Sequence, residues 1–250
     1  MNPFNVERCR QILAINKNYN VLKQLYSKYY TEIKNINTPK MWDEKFQEIG
    51  GLKDQDGMTR DRVKISYQYL PSDIKKVLDI GAGAGFLEEF LFKKRNISIY
   101  ANDFSNISIE KLGSKFKGNF EKQSFYKLKY PNNFFDCVFL LEVLEHIPPN
   151  KVFAVLRSVR KLLTKQGYLI VSVPMNESLE RMETNPNGHV RDYTESLIKA
   201  ELELSGFKIL DREILYAFKN LYSVKKLLSK LLKNRWKPNN IIIKTQASTV

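Results

Sequence analysis

Residues 77–91, VLDIGAGAGFLEEFL, set three glycines at alternate positions between an apolar run and a helix-like stretch. Glycine lets a backbone approach a ligand closely and take positive φ. In an open α/β sheet such a turn lies beyond the carboxyl end of the first strand, where a nucleotide binds. The spacing is Gly81, Gly83, Gly85; Phe86 stands where a dinucleotide fingerprint needs its third glycine. No Lys followed by Ser or Thr comes after the last glycine, so the turn is not a phosphate loop. Glu88 and Glu89 open the following helix and oppose a pyrophosphate at its N-terminus. The pattern points to a nucleoside without phosphates.

The segments around the turn alternate. KKVLDI, ISIYA, FFDCVFLLEVL, GYLIVSVP and GFKILDREILYAF read as strands. Leu87 to Lys94, SNISIEKLGSKF, NKVFAVLRSVRKLL and TESLIKAELELS read as helices between them. This order predicts a parallel sheet with helices on both faces. Upstream, residues 5–36 have helical apolar spacing, residues 37–60 read as loop, and RDRVKISYQYL reads as a helix ending before Pro71. Downstream come a basic amphipathic helix, NLYSVKKLLSKLLK, and a last strand, NNIIIKTQ.

Asp103 ends the second strand, 22 residues after Gly81. An acid there accepts hydrogen bonds from ribose hydroxyls. Asp103 and Ser105 also suit a helix N-terminus, but the turn and the acid together favour the ribose.

Two cysteines, Cys9 and Cys137, make no disulfide framework and no metal knuckle, which fits a reducing, intracellular compartment. The N-terminus reads as lacking a signal peptide, and no apolar run approaches the ~20 residues of a membrane span. The net charge is +14, and from Ile214 to Val250 there are eight Lys or Arg and no acid. That stretch is either a solvated basic face or an attraction to an anionic surface or substrate.

VLDIGAGAG, IYANDFS, FDCVFLLEVLEHIPP and GYLIVSVP, in that order, resemble the class I S-adenosylmethionine-dependent methyltransferases over about residues 60–216. The resemblance implies a Rossmann-like, seven-stranded, mostly parallel sheet with an antiparallel last strand. Residues 1–60 would be an N-terminal helical cap, 61–216 the cofactor-binding core, and 217–250 a basic helix and final strand of the same domain. Asp79 would hold the methionine ammonium, and Gly81, Ala82, Gly83 and Gly85 would form the turn against it. Asp103 would take the ribose, with Phe104 against the adenine. Ser124 falls where the family often has an Asp, and Phe125 follows with its backbone amide. Leu141 and Glu142 would wall the methionine side.

In-line transfer from a sulfonium needs positioning, worth up to about 7–11 kcal/mol, and a base only where the acceptor loses a proton. His146 and His189, the only two histidines, are the candidate bases. Arg191, Tyr193 and Trp42 are the candidate acceptor contacts. Glu142, Glu145, His146 and His189 could together bind a divalent metal, as a similar ExxEH does in small-RNA 2′-O-methyltransferases. The His-rich stretch of those enzymes is missing, and the reading assigns no metal.

The C-terminal helix interleaves Leu221, Val224, Leu227, Leu228, Leu231 and Leu232 with Lys225, Lys226, Lys230 and Lys233. The expectation is a cytoplasmic O-methyltransferase acting on a small, lipid-linked or glycan-linked acceptor, with peripheral contact to the inner membrane face through residues 219–237. An RNA methyltransferase and a non-catalytic cofactor-binding scaffold are the alternatives, nucleic acid being the lesser partner.

Overall fold

The computed structural model describes residues 36–93, 96–177, 186–232 and 235–248. All but the last residue of the expected N-terminal helix over 5–36 lies outside them. In the described chain, α1 (Pro39–Glu48), a 3₁₀ turn and α2 (Gly57–Gln68) precede β1 (Lys76–Ile80). Then follow α3 (Glu88–Leu91), β2 (Ser98–Asp103), α4 (Asn106–Lys115), β3 (Asn119–Lys122) and β4 (Phe135–Leu141). The chain continues through α5 (Pro149–Leu162), β5 (Leu163–Pro174), α6 (Glu195–Leu204), β6 (Phe207–Leu215), α7 (Tyr222–Leu231) and β7 (Asn240–Ala247).

The seven strands form one sheet in the order β3-β2-β1-β4-β5-β7-β6. The neighbouring pairs from β3 through β5 are parallel. The last strand runs antiparallel between β5 and β6, as the resemblance implies.

Period-two alternation divides the core. Leu78, Val138, Val171 and Ile243 face one side, where Val152, Leu156 and Val159 of α5 and Leu197, Ile198 and Leu202 of α6 pack on them. Val77, Cys137, Ile170 and Ile242 face the other, against Val63 of α2 and Leu87 and Leu91.

The loop expected over 37–60 is a helix for much of its length. Thr38 caps α1 by accepting from the Met41 amide at 3.2 Å, and Pro39 stands in its first turn. Asp56 caps α2 through the Thr59 amide at 3.0 Å. Strand order switches between β1 and β4, and their carboxyl ends open a crevice there.

Candidate functional site

A cavity of about 520 Å³ occupies that crevice. Of the residues singled out in the sequence, Asp79, Gly81, Ala82, Gly83, Asp103, Phe104, Phe125, Leu141, Glu142, His146, His189 and Trp42 line it. The glycine turn hangs from the end of β2, because the Gly81 and Ala82 amides donate to the Asn102 carbonyl at 2.8 and 3.2 Å. Gly81 and Gly83 have φ of 77° and 56°. A Cβ on Gly81 would lie 2.7 Å from Val143 Cγ2, so the turn presses on the chain leaving β4.

Asp103 is buried, and its carboxylate is oriented by two amides. Oδ2 accepts from Gly83 at 3.0 Å and Oδ1 from Ser105 at 2.9 Å. Each oxygen retains acceptor capacity. Burial raises its pKa despite these amides. Asp79 is buried, and its Oδ1 has no hydrogen-bond partner among the described residues. Burial, with the Asp103 charge nearby, pushes Asp79 up to about 7.

The residues fit S-adenosylmethionine: a buried carboxyl with one spare oxygen for an ammonium, an oriented carboxylate for two hydroxyls, and two phenyl rings, Phe104 and Phe125, in edge contact on the cavity wall beside the place for a flat base. Glu88 is buried beside Asp79 and held well above its usual pKa, first by burial and then by the Asp79 charge.

Four expected residues stand off the cavity, and one that lines it is otherwise engaged. Gly85, at φ 77°, packs where a Cβ would meet Leu112 Cδ2 at 2.8 Å. It shapes the turn from behind. Ser124 accepts the Tyr126 amide at 3.3 Å within a turn, and Gln123 takes its place on the wall. Arg191 pairs with Glu201, and the Tyr193 hydroxyl donates to the same carboxylate at 3.0 Å, all three buried. Their role as acceptor contacts gives way to bracing α6 against its entry loop. Glu142, at φ 58°, accepts from Arg62 at 3.0 Å, Ser172 at 2.8 Å and Asn240 at 2.9 Å. These bonds hold a conformation that a non-glycine residue rarely adopts, so Glu142 lines the cavity with its carboxylate already committed.

The remaining wall is aromatic. Trp42 stacks on Phe46 at 5.4 Å and meets His146 edge-on at 5.1 Å, and His146 meets His189 at 5.0 Å. Burial, with His189 and Lys45 nearby, pushes His146 down to about 3, which makes it a weak base. His189 Nδ1 donates to Glu177 Oε2 at 2.8 Å. Asp56, Thr59 and Arg62 of α2 also line the cavity and were missed in the sequence. The Asp56 cap signal was the available clue.

A family model described as a methyltransferase domain matches residues 37–212. A sterol 24-C-methyltransferase of Gibberella zeae is 27% identical over 56% of this chain and 40% of its own length. The chain thus spans about two fifths of that relative. An uncharacterized protein of Methanocaldococcus jannaschii is 28% identical over 65% of this chain and 68% of its own. Among solved structures, an S-adenosylmethionine-dependent methyltransferase from Archaeoglobus fulgidus superposes with a TM-score of 0.61 at 21% identity, covering 83% of this chain and 98% of that one.

Proposed function

The chain belongs to the class I S-adenosylmethionine-dependent methyltransferases, and on that premise we propose that it methylates an oxygen of a small lipid-linked or glycan-linked acceptor at a membrane surface. The bound cofactor supplies an activated methyl group on a sulfonium. Asp79 holds the ammonium end and the Gly81–Gly83 backbone packs along it. Asp103 fixes the ribose, and Phe104 and Phe125 offer the base an aromatic wall. Trp42, His146 and His189 form the wall for the acceptor, and handling of its hydroxyl falls to the cluster where the imidazoles meet Glu145.

The observation that carries the acceptor class is the face of α7. Leu227 is 64% exposed and Leu231 73%, and Leu221 and Val224 extend the same surface. Lys219, Arg235 and Lys237 are exposed on the segments that flank α7 in the chain, and Lys230 pairs with Glu213. An apolar stripe bordered by lysines suits an anionic lipid surface. No described helix is long and apolar enough to cross a membrane. The helix is tied to the cavity wall: Tyr222 donates to Asp61 at 2.7 Å and Lys226 pairs with it at 2.6 Å, and Asp61 belongs to α2. A membrane under α7 therefore lies one helix away from the acceptor cavity. The sterol of the fungal relatives, a lipid by name, supports the same class. Carbon as the methylated atom is not carried over, because an imidazole and carboxylate wall suits a hydroxyl.

The test is methyl transfer from labelled cofactor to fractionated membrane lipids, soluble glycans and RNA. Label in a lipid or lipid-linked glycan fraction is the expected result. Label in RNA alone would replace this reading with the nucleic-acid one.

A further inference from the structure

Glu145, His146 and His189 are buried and line the same cavity. One ligand atom from each lies within 4.8 Å of the others. Neither carboxylate oxygen of Glu145 has a hydrogen-bond partner among the described residues, and its side chain is wholly buried. A carboxyl held that way either stays protonated or takes up a cation, and an ionised one is costly without it.

The imidazoles are turned to suit a cation. His146 donates from Nδ1 to the Gly188 carbonyl at 3.2 Å, which makes Nε2 its lone-pair atom, 4.0 Å from Glu145 Oε1. His189 donates from Nδ1 to Glu177 at 2.8 Å. Metal-ligating histidines carry their second N–H on a carbonyl or carboxylate in this way, which fixes tautomer and ring orientation. Trp42 packs edge-on against His146 and steadies it. Glu142 stays outside the cluster, since its carboxylate is bonded to Arg62, Ser172 and Asn240.

We propose that Glu145, His146 and His189 bind one divalent transition-metal ion whose remaining coordination positions open to the cavity. This departs from the sequence reading, which assigns no metal. Two imidazoles and one carboxylate select a zinc-, iron- or cobalt-like ion over magnesium or calcium, which favour oxygen ligands. Bonds of about 2.0–2.2 Å bring donor atoms to within roughly 3–4 Å of one another, so binding closes the cluster by about 1 Å. The role of the ion rests on the methyl-transfer reading: it holds the acceptor oxygen, and the imidazoles serve as ligands rather than bases.

The test is a Co²⁺ titration of the untagged, chelator-treated full chain, followed by visible absorption. One equivalent is expected to saturate the bands. His189→Ala and Glu145→Gln are expected to weaken Co²⁺ binding more than 100-fold. Glu177→Ala, which removes only the carboxylate behind His189, is expected to weaken it about 10–100-fold. That variant keeps the test decisive if a ligand variant fails to fold. A folded wild type without bands, or bands unchanged in Glu177→Ala and in the folded ligand variants, overturns the site. Calorimetry with S-adenosylhomocysteine on the same samples separates the two claims. Cofactor binding without a Co²⁺ site removes the metal alone; a Co²⁺ site without cofactor binding removes only its role in methyl transfer.

Discussion

Glu88 at the start of α3 lies buried beside Asp79 at the end of β1, so two carboxyl groups share one dry corner behind the glycine turn. Burial raises both, Asp79 to about 7 and Glu88 well above its usual value. An acid raised on folding favours the folded state fully below its unfolded pKa near 4, and that favour is lost as pH rises through about 7. The free protein is therefore expected to lose thermal stability between pH 5 and 8. A ligand ammonium favours ionised Asp79, so cofactor affinity should rise over that range, by at most about tenfold per pH unit. Calorimetry in buffers of different ionisation heat should show proton release on binding, and Asp79→Asn should abolish it.

Asp103 makes the sharper single-residue test. Asp103→Ala removes a charged acceptor that orients the Gly83 amide and would take the ribose. The expected loss in S-adenosylhomocysteine affinity is about 2–3 kcal/mol, roughly 30–150-fold. An unchanged dissociation constant in a folded variant would move the ribose elsewhere.

Gly85 should behave differently from the glycines that line the cavity. An alanine there takes a left-handed φ and drives its Cβ to 2.8 Å from Leu112. Gly85→Ala is expected to cost about 2–4 kcal/mol in denaturant unfolding. In folded protein it should leave cofactor affinity within a fewfold of wild type.

Arg191→Ala would strand the buried Glu201 carboxylate. Breaking such a pair typically costs about 3–5 kcal/mol. Stability should fall by that order. If a folded Arg191→Ala protein instead shows only a raised KM for the acceptor, Arg191 contacts acceptor after all.

On α7 the direction is opposite. Leu227→Asp with Leu231→Asp changes exposed positions, so stability should hold within about 1 kcal/mol. Flotation with anionic vesicles at low salt should be lost, and neutral vesicles should bind neither protein.

What could be read in the sequence follows from how local each signal is. The turn, Asp103 and the strands of the sheet centre are stretches whose apolar period or glycine spacing states their environment. β3 has four residues, mostly exposed, and no such period. Over α1, Pro39 and the following glycines read as breakers, whereas Thr38 and Pro39 together are a helix start. The roles of Arg191 and Tyr193 depend on Glu201, eight or more residues away and on another element, which spacing alone does not reveal. The inward reach of Asp56 and Arg62 likewise depends on how α2 lies across the sheet.

The placement of β7 has a consequence for assembly. Among the described residues β6 has no neighbour in the sheet except β7, and β5 has β7 on its outer side. On a growing chain both strands emerge before the one that joins them. Two unpaired edges must therefore be kept from wrong partners until the last strand slides between them.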